Sequence, residues 1–111
     1  MDTLELELQI ATQGFAAAGS ESRLSVLRVL IRAGHQGLTV SDIQKRLDIP
    51  ASTLAHHLKC LVAGELILQE KQGRSVVNRA NYNQLKALAD FLLNECCIDA
   101  IGNEQIAVCR K

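Results

Sequence analysis

The chain has 111 residues, 48% of them apolar, yet Phe15, Tyr82 and Phe91 are its only aromatics. That length allows one core and not two, and the core must be built from Leu, Ile, Val and Ala, which suits a mainly α body. The formal net charge is zero, but residues 23–86 carry ten Lys or Arg against four Asp or Glu while both ends are acidic, a distribution that suits a centre meeting phosphate.

No apolar run approaches the roughly 18 residues that span a bilayer. The start, Met1-Asp2-Thr3-Leu4-Glu5, is acidic where a secretory signal would be basic. A cytoplasmic protein without a membrane partner is expected. There, Cys60, Cys96, Cys97 and Cys109 would be reduced thiols open to metal or redox chemistry. No nucleophile, base and orienting group can be assembled from the motifs, so an enzyme is not expected.

Residues 3–18 place Leu4, Leu8, Ala11 and Phe15 on a helical stripe, widened by Leu6 and Ile10. That is more apolar surface than one small core needs, so a second partner is expected on this helix. Gly19 ends it. Ser20 is a plausible N-cap for the next helix, with Glu21 in its first turn, and Leu24, Leu27, Val29, Leu30 and Ile31 predict a deeply buried element. Gly34 and Gly37 close it and leave His35 in a loop, with no role assigned.

Residues 39–64 read as two short helices around Asp48-Ile49-Pro50. Thr39-Val40-Ser41-Asp42 has the form of a capping box, and Ile43 and Leu47 continue an apolar side. Pro50 lacks an N–H and restricts Ile49, so one helix stops and another, over 51–63, begins. Leu54, Leu58 and Leu61 give that second helix an inward face. Ser52, Thr53, His56 and Lys59 occupy its other face, with short hydrogen-bonding groups and cations near a helix start, as base-edge reading and phosphate contact require. His57 is read equally as a DNA contact or as a partly buried histidine packed on the following hairpin, and Cys60 as a small buried hydrophobe.

Leu66-Ile67-Leu68 and Val76-Val77 flank Glu70-Lys71-Gln72-Gly73-Arg74-Ser75, which predicts a two-stranded β-hairpin over about 66–79. Lys71 and Arg74 can approach DNA from its tip, and Arg79 just beyond is a further candidate for phosphate. Residues 81–97 predict a last helix with Leu85, Leu88, Ala89, Leu92 and Leu93 apolar and Asn81 or Asn83 as cap. Its stripe is again wider than one core needs. Cys96 and Cys97 end it, and Cys109 follows in a tail, 98–111. Neighbouring helical side chains diverge by about 100°, so a regular helix would not easily aim both sulfurs at one ion, whereas a frayed helix end could.

The run LTVSDIQKRLDIPASTLAHHLKCLVAGELILQEKQGRSVV, with His56-His57-Leu58-Lys59, Gly64 and Gly73-Arg74, resembles the winged-helix core of the ArsR-type metalloregulatory repressors. The resemblance covers nearly the whole chain as a single winged helix-turn-helix domain, 1–111. It implies a homodimer formed through the first and last helices, and a palindromic double-stranded operator read by two recognition helices about one DNA turn, roughly 34 Å, apart.

Three thiolates without histidine favour a soft, thiophilic ion. As(III) or Sb(III), bound in a pyramid of three sulfurs, would be satisfied by Cys96, Cys97 and Cys109, whereas zinc usually takes four ligands. No histidine follows His57, so the carboxylate-and-histidine zinc pattern of some family members is missing. Leu38-Thr39-Val40-Ser41 stands where other arsenic-sensing members carry Cys-x-Cys. The Cys pair resembles a different arsenic-responsive subgroup, in which ligand binding would reorder the last helix and release DNA. Two alternatives stand beside this expectation: a redox or persulfide sensor using the same thiols, and a winged helix used as a protein-interaction module.

Overall fold

The structure, a computed structural model, describes residues 3–100. Its elements are α1 (Thr3–Ala17), α2 (Glu21–Ala33), a 3-10 turn (Gly34–Gln36), α3 (Val40–Arg46), α4 (Ala51–Ala63), strands β1 (Ile67–Gln72) and β2 (Ser75–Ala80), and α5 (Tyr82–Leu93). The fold is the expected winged helix-turn-helix.

Local signals account for most boundaries. The Ser20 hydroxyl accepts from the Arg23 N–H at 3.2 Å. Thr39 and Asp42 form the capping box in both directions, at 3.1 and 3.2 Å. Pro50 caps α4 in extended backbone, and Asn81, of the two candidates, accepts from the Gln84 N–H. Each of these side-chain caps satisfies a helix-start donor that would otherwise lack a partner.

Leu54, Leu58 and Leu61 of α4 meet Val26, Leu27 and Leu30 of α2 and Ile43 of α3 in one buried core, closed by Leu38, Leu66 and Ile67. Full burial of each leucine contributes about 1.5–3 kcal/mol. Within α2 the inward residues differ from those expected. Val26 is fully buried, while Leu24 is 50% and Ile31 38% exposed, because the inward face runs through Val26, Leu27 and Leu30 alone.

The strands reach further than their apolar ends suggested, running through Glu70-Lys71-Gln72 to a two-residue turn. Gln72 faces Ser75, and Gly73 takes φ 62°, as the first position of a tight hairpin turn favours. Asn78 is wholly buried. Its amide donates to the Leu38 carbonyl at 3.1 Å and accepts from Gln69 at 2.8 Å, joining the wing to the strand-like entry of α3.

α1 and α5 pack on each other and expose much of their apolar surface. α1 turns Ala11, Gly14 and Ala17 inward, leaving Leu4, Leu8 and Phe15 of the predicted stripe largely exposed. Small residues face inward because the neighbours sit close: a Cβ on Gly14 would lie 2.9 Å from the Leu88 side chain.

α5 stops at Leu93, short of the expected 97. Beyond it the backbone makes i to i+3 bonds, Leu93 to Cys96, Glu95 to Ile98 and Cys97 to Ala100, and Cys97 adopts φ 63°. Leu92, Leu93 and Ile98 find little to pack against, and a helix end without tertiary packing is only marginally stable. No helix among the described residues is long and apolar enough to cross a membrane.

Candidate nucleic-acid interface

The core that holds α4 by Leu54, Leu58 and Leu61 turns its opposite face outward. Ser52, Thr53, His56 and Lys59 are all exposed there. Ser52, His56 and Lys59 recur at i, i+4 and i+7, so they line one stripe along the helix. Lys71 and Arg74 are exposed at the wing, Arg74 in the turn itself.

His57 departs from this group. It is 8% exposed, and both ring nitrogens are buried without a hydrogen-bond partner, so it is corrected from a DNA contact to a side chain behind the recognition face. The reason is angular: one residue past His56, it is rotated onto the inward side beside Leu58. Burial lowers its pKa below the ordinary 6.5, and the nearby positive charges of Arg23 and His56 lower it further.

The unfolded chain takes up the His57 proton near pH 6.5, whereas the folded chain resists it until a lower pH. The contribution to stability is therefore complete above the unfolded value and is lost as pH falls through 6.5 towards the folded value. Urea midpoints measured between about pH 7.5 and 5 should fall on the acid side for the wild type, and the fall should be smaller in His57→Gln. An identical pH profile in the variant would show that His57 is not its source. Asp42 and Glu70 are held below 3.8 and 4.5 by hydrogen bonds to Thr39 and Arg79, so they act at more acidic pH.

Arg79 is also reassigned. Its guanidinium binds Glu70 at 2.6 Å and the His35 carbonyl at 2.7 Å, which commits it to holding the wing base against the 3-10 turn. The cross-strand spacing to Glu70 only becomes visible once the register is known. His35 itself stacks edge-on against Tyr82, with centroids 5.2 Å apart. Cys60 is half-buried and its sulfur lies 3.7 Å from His56 Nε2, a contact that the i, i+4 spacing could have signalled.

The Cys96 and Cys97 sulfurs lie 3.7 Å apart, partly buried, in the turns after α5. Loss of helical geometry removes the divergence that a regular helix would impose on neighbouring side chains. Cys96 is a free thiol, and Cys97 is disulfide-bonded. Cys109 lies outside the described residues, and among those described no three potential metal ligands converge.

A family model described as a helix-turn-helix domain matches residues 18–70, the span from the end of α1 into β1. No curated protein matches the chain. Among solved structures, an ArsR-like transcriptional regulator from Rhodococcus sp. RHA1 is 29% identical, with 91% of this chain and 90% of that one covered and a TM-score of 0.72. Reduced HlyU from Vibrio cholerae is 25% identical over 87% of this chain and 99% of that one, at a TM-score of 0.65. A homodimeric winged helix-turn-helix DNA-binding domain from Mycobacterium bovis, 19% identical, shares the fold over 92% of this chain and 91% of its own, at a TM-score of 0.66.

Proposed function

We propose, from the standing of this chain as an ArsR-type winged-helix regulator, that it is a homodimeric cytoplasmic repressor which binds a palindromic operator and leaves it when a thiophilic ligand arrives. The observation that carries the DNA-binding part is the exposed stripe of Ser52, His56 and Lys59 with Thr53 beside it, on the second helix of a matched helix-turn-helix domain. Dimerisation is supported by the exposed apolar residues of α1 and α5 and by the homodimeric state of the Mycobacterium bovis relative.

As(III) or Sb(III) is the ligand that suits the thiols best. In the reduced protein, with the Cys97 disulfide opened, Cys96 and Cys97 would hold two sulfurs within one ion's reach, and Cys109 would be the third donor. Bound there, the metalloid would draw the turns after α5 into a new arrangement and shift the dimer away from its operator-binding form. It can do so only by binding that second form more tightly.

The bonded state of Cys97 favours a second reading, in which two thiols give up two protons and two electrons to an oxidant and the resulting disulfide is the switch.

Fluorescence anisotropy of labelled duplex from upstream of its own gene tests both. With reduced protein, arsenite should weaken binding by about 5- to 150-fold, the usual span of such coupling, and zinc should not. Cys96→Ser should bind the operator normally and ignore arsenite. Loss of operator binding in Cys96→Ser would make that sulfur structural. Release by a mild oxidant and not by arsenite would establish the redox switch.

A further inference from the structure

Between α2 and α3 lies a groove of about 490 Å³ lined by Arg28, Val29, Arg32, Arg46 and Leu47. Val29 and Leu47 are its half-buried apolar residues, and the three arginines are exposed. No acidic residue lines it. None of the three guanidiniums makes an ion pair or side-chain hydrogen bond with the described chain. Arg46 feels the charge of Asp42, but that carboxylate already bonds Thr39.

A positive residue at a helix C-terminus is ordinarily explained by the helix dipole. That accounts for Arg32 and Arg46, which lie in the last turns of α2 and α3. It does not account for Arg28, in the middle of α2 and four residues before Arg32, where like charges repel along one helix face. Three permanently charged planar donor forks bordering one groove that no acid lines suit an oxyanion taken in bidentate fashion. Position narrows the source, because Arg46 ends α3 and the next four residues are the turn that leads into α4 at Ala51. A backbone phosphate flanking the bases read by α4 is the nearest supply.

We propose that Arg28, Arg32 and Arg46 form an oxyanion site that takes a DNA backbone phosphate at the outer edge of the helix-turn-helix, widening the footprint beyond α4 and the wing. The proposal rests on the DNA-binding reading for the source of the phosphate, though not for the existence of the site.

The test compares full-length wild type, the double variant Arg28→Gln/Arg32→Gln, and Arg46→Gln, with Lys86→Gln as a remote single-charge control. Thermal melts check folding, and Arg46→Lys serves as a second, charge-conserving variant. Duplex affinity is measured across a salt series, and inorganic pyrophosphate is titrated by calorimetry. The expected result is weaker binding by the double variant and by Arg46→Gln, on operator and unrelated duplex alike. The slope of log affinity against log salt should become shallower by about 0.9 for each phosphate that the variant no longer neutralises, with Lys86→Gln unchanged and Arg46→Lys close to wild type.

If the slopes stay the same but wild type binds pyrophosphate and Arg46→Gln does not, the oxyanion site stands and its ligand is a free phosphate compound. Unchanged slopes with no pyrophosphate binding overturn the proposal. Should wild type bind no duplex at all, the DNA-binding reading fails and the pyrophosphate titration alone decides the site.

Discussion

Gly64→Ala is expected to destabilise the fold by about 1–3 kcal/mol, the usual cost of forcing an extra methyl into a packed interior. A Cβ at Gly64 would collide with the Cβ of Ala17 and stand 3.2 Å from the Gln13 carbonyl. Neither neighbour can swing away, since one is the stub of a short side chain and the other is helical backbone. α1 would have to lift from the end of α4. Because α1 also carries the exposed apolar face proposed for dimerisation, the variant should lose dimer and operator affinity together with stability. Ala17→Gly removes the nearer obstacle, so Gly64→Ala/Ala17→Gly should recover part of the stability in a urea unfolding series. A double variant no more stable than Gly64→Ala would place the cost elsewhere.

The second large effect is expected on DNA. His56→Ala and Thr53→Ala should each cost about 1–3 kcal/mol on the best operator, with a smaller effect on unrelated duplex, because a base-edge contact carries discrimination. Arg74→Ala at the wing should instead weaken both duplexes alike, as a phosphate contact does. His57→Gln serves as the comparison within α4: buried behind the face, it should alter stability and its pH dependence rather than sequence preference. Equal weakening by His56→Ala on every duplex would remove His56 from base reading and leave it a backbone contact.

The helix-turn-helix was legible because its signals are local. Pro50, the Thr39/Asp42 capping box and the spacing of Leu54, Leu58 and Leu61 each act within one or two helical turns, and the resulting α4 runs over the predicted 51–63. Gly73 likewise marked its turn. Local signals do not decide outcomes that turn on one residue of helical rotation. His56 and His57 are neighbours of one type, and only the angle at which α4 packs on α2 decides that one is exposed and the other buried.

The same division holds across the molecule. The order of its helices, the wing, the inward leucines of α4 and the surplus apolar surface of α1 and α5 all follow from periodicity and capping in the sequence, since those depend on near neighbours along the chain. Tertiary structure decided that Arg79 pairs with Glu70 and the His35 carbonyl, that Asn78 is a buried link to Leu38, that α5 ends at Leu93, and that Arg28, Arg32 and Arg46 border one groove. Those outcomes depend on strand register, on helix crossing and on whether a helix end finds a core to pack against, and each of these is set by contacts between residues far apart in the chain.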